Sequence, residues 1–134
     1  MSASEHNFTE DVLKSGEALD GFTADGSISA RKAVTVNGDK QVTQVSSAGS
    51  AMRGVAVYDI ADGEELPVAA DGCEVLIEVG SAGATAGSAA ATDADGNFVD
   101  AGSGDKVVGT FDEGGSDGDL VRLYVDTVPG VAIA

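Results

Sequence analysis

Ala33-Val34-Thr35-Val36-Asn37-Gly38-Asp39-Lys40-Gln41-Val42-Thr43-Gln44-Val45 sets an alternating run, Ala33 to Val36, and a return run, Gln41 to Val45, on either side of an Asn-Gly pair. Period-two alternation places side chains on opposite faces of a strand. Asn-Gly suits a two-residue type I′ turn, whose central residues both need positive φ. The segment predicts an antiparallel hairpin turning at Asn37-Gly38. The same grammar continues outward along the chain. Val55-Ala56-Val57-Tyr58-Asp59-Ile60 reads as a strand. Leu66-Pro67-Val68-Ala69 and Cys73-Glu74-Val75-Leu76-Ile77-Glu78-Val79 flank Asp71-Gly72, a second hairpin candidate. In the latter run Cys73, Val75, Ile77 and Val79 share a face, and Glu74 and Glu78 take the other. Pro67 lacks a ladder donor, which suggests an edge or a strand start. Further on, Ala89 to Thr92, Asn97-Phe98-Val99, Val107 to Phe111 and Leu120 to Val125 are strand candidates.

The two halves repeat. Gly54 and Gly63 recur as Gly109 and Gly118 with the same separation, and an acid follows each later glycine, Glu64 and Asp119. Leu66 and Val68 are matched by Val121 and Leu123, and Ala33 by Ala89. We read two copies of one β unit, over about 28–79 and 84–125. Two such units can close a compact barrel or sandwich. The Gly-rich stretch Gly80 to Gly87 then reads as a mobile linker between them. Toward the N-terminus, Phe8 and Val12 lie one helical turn apart, but Gly16 weakens a helix. Phe8 to Leu19 is either a short helix or an extended arm. The expected fold is all-β: a small β-barrel or β-sandwich built from two related β units. A non-sheet N-terminal arm spans 1–20, and a single β domain spans 21–134.

Charge narrows the function. Asp and Glu number 23 against 7 Lys and Arg, a formal net charge of −16. Phosphate backbones need a positive surface, so nucleic acid is excluded as a broad electrostatic partner. Anionic membranes are disfavoured for the same reason. The acids are spread along the chain without a run of like charges, which points to a solvating surface. In dilute buffer such a surface repels itself. Molar salt shortens the Debye length to about 3 Å and removes most of that repulsion. The sequence therefore fits a high-salt medium. No stretch approaches the ~20 apolar residues of a membrane span. Met1 to Glu10 has no basic start followed by an apolar run, so no signal peptide is expected there.

Residues that could carry chemistry are sparse. The one histidine, His6, lies in the expected arm, where a Ser/His/Asp or Cys/His arrangement has no use for it. The one cysteine, Cys73, rules out an intrachain disulfide and reads as a small buried side chain. Zinc sites need clustered Cys and His. Glycosidases need two carboxylates in a cleft lined by sugar-binding groups, and aromatics are only 4% here. Gly80 to Gly87 is followed by no phosphate-loop lysine. The best metal candidate is a weak calcium loop, Asp93, Asp95 and Asn97 with Asp100 nearby. Its glycine falls too early for an EF-hand, and the bidentate Glu is missing. A plain β-turn explains it equally. No enzyme activity and no cofactor are expected.

Laid out as a repeat, residues Ile28 to Val125 resemble the tailed-virus head decoration, or capsid cement, proteins. The resemblance rests on Asn37-Gly38, Gly54-Val55-Ala56-Val57 and Ala61-Asp62-Gly63-Glu64-Glu65-Leu66-Pro67-Val68. It recurs in Thr85-Ala86-Gly87, Asp93-Ala94-Asp95-Gly96 and Gly118-Asp119-Leu120-Val121-Arg122-Leu123. The first copy departs from the pattern with Arg31 where a glycine is expected, the second with Gly109-Thr110-Phe111 for Gly-Val-Ala. The resemblance implies a β-rich virion protein, often a homotrimer, on the outer surface of the capsid, with the major capsid protein as partner. Together with the acidity it suggests a virus of a salt-loving host. Phe8, Val12 and Leu13, apolar residues in a segment without strand pattern, are the expected capsid contacts. The alternative is a carbohydrate-binding adhesion module using Tyr58, Phe98, Phe111 and Tyr124. A small enzyme or calcium-dependent module is the third reading.

Overall fold

The computed structural model describes residues 12–14 and 18–127. Among them lie eleven strands and no helix. In chain order these are β1 (Val12–Lys14), β2 (Ala18–Ala24), β3 (Ala33–Gly38), β4 (Gln41–Gln44), β5 (Gly54–Ala56) and β6 (Glu65–Ala69). They continue as β7 (Glu74–Glu78), β8 (Ala89–Thr92), β9 (Phe98–Asp100), β10 (Gly109–Phe111) and β11 (Leu120–Val125). The first sheet closes into a barrel in the order β2-β4-β3-β5-β6. The second is six-stranded, β1-β7-β11-β10-β8-β9.

Strand for strand, the second sheet repeats the first. Hairpin β3–β4, pair β3–β5 and pair β5–β6 are matched by β8–β9, β8–β10 and β10–β11, all antiparallel. β2 pairs antiparallel with β6 and parallel with β4. Its counterpart β7 pairs antiparallel with β11 and meets the start of β9 through the parallel bridge Val79↔Phe98. Even the isolated bridges correspond, Ile28↔Ile60 with Ala84↔Gly115. At the start of β5 and of β10 the chains approach too closely for a Cβ. One on Gly54 would overlap Val68 and the Ala69 carbonyl, and one on Gly109 the Tyr124 carbonyl.

Strand pairing divides the chain differently from the repeat read in the sequence. β2 opens the first unit and β7 opens the second, so the units run 18–69 and 74–125. Gly80 to Gly87 is therefore not a linker between units. It is the β7–β8 connection inside the second one, and it is fastened down. The Ala84 amide donates to the Gly115 carbonyl at 2.9 Å, and the Gly87 amide to Phe111 at 2.7 Å. Asp100 accepts from the Thr85 amide at 2.8 Å and its hydroxyl at 2.7 Å. The true junction is Asp71-Gly72. It does not make a hairpin, because β6 belongs to the first sheet and β7 to the second. The Cys73 amide donates to the Ala70 carbonyl at 3.1 Å across a tight turn, with Gly72 at φ 89°.

Two further expectations are corrected. The hairpin β3–β4 exists, but Asn37 and Gly38 are not at positive φ. Gly38 still pairs with Gln41, a bulge follows Val36, and the left-handed residue is Lys40 at φ 50°. The turn sits two residues later than an Asn-Gly type I′ turn would put it. The N-terminal arm is also shorter than read: β1 pairs with β7, and Ala18 and Leu19 pair with Ala69 and Val68 of β6. β2 escaped notice because it carries a bulge. Two residues, Asp20 and Gly21, stand opposite Pro67, which breaks the alternation. The bulge also explains how Pro67, with no donor, fits between two neighbouring strands.

Two apolar clusters hold the molecule. Phe22, Ala24, Ile28, Val34, Val42, Ala56, Leu66 and Val68 fill the first barrel. The second cluster fills the other unit around Phe98 and Phe111. It also takes in Ala33, Val45, Met52, Val55, Val57 and Ala69 from the outside of the first barrel. Strands β3, β5 and β6 are thus buried on both faces, one toward their own barrel and one toward its neighbour. Phe98 and Phe111 have no exposed surface, and removing either ring would cost about 3–5 kcal/mol.

Candidate functional site

The joint between the units is built from the tip of hairpin β8–β9 and the side of the first barrel. The Ala33 amide donates to the Gly96 carbonyl at 2.9 Å, and the Gly49 amide to the Thr92 carbonyl at 2.8 Å. Gln44 Nε2 donates to the Asp95 carbonyl at 3.2 Å, and Lys32 Nζ bonds Asn97 Oδ1.

The calcium candidates Asp93, Asp95, Asn97 and Asp100 lie in and beside this tip, where three of the four side chains make hydrogen bonds. Asp93 Oδ1 accepts the amides of Asp95 at 2.8 Å and Asn97 at 3.0 Å, which is an Asx turn. Asn97 faces Lys32, and Asp100 is held by Thr85. Among the described residues no group of three or more His, Cys, Asp or Glu is placed to hold a metal ion. Elsewhere acids do the same turn work. Asp62 accepts from Gly26, Asp59 from Ala30, Glu64 from Ala61, Asp105 from Gly102 and Asp119 from Ser116. Asp71 accepts both the amide and the hydroxyl of Thr127. The acidity is therefore partly structural: in a chain of short strands and many turns, carboxylates satisfy amides that no ladder reaches.

The other predicted residues fall as follows. Phe8 and His6 lie outside the described residues. Val12 and Leu13 are in β1, at the edge of the second sheet, with Val12 in register with Val75. Cys73 is fully buried. Phe98 and Phe111 are core residues, and Tyr58 packs against the same cluster. Of the four aromatics expected for a sugar platform, Tyr124 is 41% exposed and Tyr58 half-buried. A shallow hollow lined by Gly21, Glu65, Leu66 and Pro67 opens beside the β2 bulge. Among the described residues that line it, Glu65 is the one with a titratable side chain.

What the surface does offer is apolar. Val36, Leu120 and Tyr124 are the large hydrophobic side chains exposed among the described residues. Leu120, Arg122 and Tyr124 alternate outward along β11, beside Glu74, Leu76 and Glu78 of β7. Arg122 Nε lies 4.0 Å from Glu113, a solvent-exposed pair that contributes little. Val36 stands in the first barrel, on β3 beside the β3–β4 turn. Sequence patterning marked the strands that carry these residues but gave no sign that they would stay uncovered.

Among solved structures, the fold is similar to the head fiber gp8.5 N base of bacteriophage phi29. The TM-score is 0.66 at 20% sequence identity, over 83% of this chain and 94% of that one. No protein-family model matches the chain, and no curated protein does. The likeness is one of fold.

Proposed function

We propose that this chain is a structural protein of a tailed virus, carried on the outer surface of the head, where it binds the major capsid protein and stabilises the shell. The observation that carries the reading is the shared fold with a phage head-fiber base across nearly the whole of that chain. The decoration-protein motifs between Ile28 and Val125 point the same way independently. So does the architecture: a closed barrel packed on a six-stranded sheet, with short, fastened loops, makes a rigid mount rather than a cleft. The protein acts by binding, as a homotrimer, and its net charge of −16 suits it to a concentrated-salt medium.

Cosedimentation in molar salt tests the reading. The purified chain should pellet with assembled shells and stay in solution with free capsid subunits. Equal recovery with and without shells would remove the capsid assignment.

A further inference from the structure

The internal joint is not symmetric. Registers place Thr92, paired with Phe98, where Val36 is paired with Val42. They place Tyr124, paired with Thr110, where Ala69 is paired with Val55. A joint between like surfaces would bury both members of each pair. Here Thr92 is 1% exposed and Ala69 0%, while Val36 is 48% exposed and Tyr124 41%. The β8–β9 tip of the second unit is pressed on the side of the first. Among the described residues, the β3–β4 tip of the first barrel and the β10–β11 side of the second unit remain uncovered. Each chain thus presents one unused half of each kind.

We propose that a second copy of this chain sets the Val36 end of its barrel on the Tyr124 face of the six-stranded sheet, repeating the internal joint between molecules. One pair of charges, set among acids such as Asp39 on the tip and Asp112 on the side, agrees with this pairing. In the internal joint Gly96 lies against Gln44, and a Cβ on Gly96 would come within 3.1 Å of Gln44 Cγ. The counterpart of Gly96 in the free tip is Lys40, and that of Gln44 in the free side is Asp100. Opposite charges therefore face each other in a contact between two strongly acidic molecules. The free side is more polar than its buried twin: Thr110 and Asp112 stand where Val55 and Val57 do. The contact between copies is consequently weaker than the one within the chain, and salt strengthens it by screening the net repulsion. It is a tip-to-side contact, so copies either close into a ring or run on. The pairing holds whatever the assembly binds.

Light scattering of the full chain in molar salt, over a range of concentrations, tests it with Val36→Asp and Tyr124→Asp. The wild type should exceed the monomer mass, and each variant alone should be monomeric. A mixture of the two should form a dimer, because one supplies an intact Tyr124 face and the other an intact Val36 end. Circular dichroism checks the fold, and Val36→Ser with Tyr124→Ser serves if a charge unfolds either variant. Three results would overturn the proposal: a monomeric wild type, variants that keep the wild-type mass, or a mixture that stays monomeric. A monomer whose Tyr124 gains iodination only after deletion of residues 1–11 would give the face to the chain's own N-terminal segment instead.

Discussion

Thr92 is buried, and its Oγ1 meets no hydrogen-bond partner among the described residues. The equivalent residue in the other unit is Val36, a side chain of the same shape without the hydroxyl. A buried hydroxyl left unpaired costs about 1–3 kcal/mol of desolvation. Thr92→Val should therefore stabilise the protein by about 1 kcal/mol, seen as a higher denaturant midpoint at unchanged slope. A lower midpoint would mean that the hydroxyl has a partner after all. Arg31 and Gly87 form a second natural comparison. Both are left-handed, at φ 70° and φ 83°, so the glycine missing from the first copy marks a conformation that the fold requires even of an arginine. A Cβ on Gly87 meets nothing within 4 Å. Gly87→Ala should thus lose about 1 kcal/mol through backbone conformation alone, read by the same titration. At this scale the sequence was informative: the displaced glycine was visible in the repeat, while the unpaired hydroxyl needed coordinates.

Among the elements, hairpin β8–β9 has two roles, closing its own sheet and seating on the first barrel. Lys32 Nζ to Asn97 Oδ1 is a half-buried contact across that seat. A double-mutant cycle with Lys32→Ala and Asn97→Ala should return a coupling of about 1–2 kcal/mol; additive effects would show that the seat is held by apolar packing alone. Because Asp93 and Asp100 are already occupied by amide and hydroxyl donors, calcium at fixed ionic strength should leave the melting temperature unchanged. A rise with calcium but not magnesium would restore the loop as a cation site. Strands with clean alternation, such as β7 and β11, were legible in the sequence because each has one wet face. β2 was not, since its bulge interrupts the period. The joint was not legible either. It is made by backbone carbonyls of a turn and by small residues such as Ala33 and Ala69, which look alike in sequence whether covered or bare.

Taken whole, the molecule has one apolar cluster that fills the second unit and continues onto the wall of the first. The two units should therefore unfold together, with calorimetric and van't Hoff enthalpies equal; two separable transitions would show that the joint is weaker than either unit. The melting temperature should rise steadily from millimolar to molar salt as self-repulsion is screened, and a flat profile would end the high-salt reading. The barrel closure has a further consequence, for the time the chain takes to fold. β2 is made early, yet it meets β4 only after β3 has formed and β6 only near the end of its unit. β1 waits longer still, for β7. Each strand that begins a sheet is thus an orphan until distant residues arrive, and such non-local pairing places folding in the range of about milliseconds to seconds. During synthesis, the first strands to emerge are the last to find shelter.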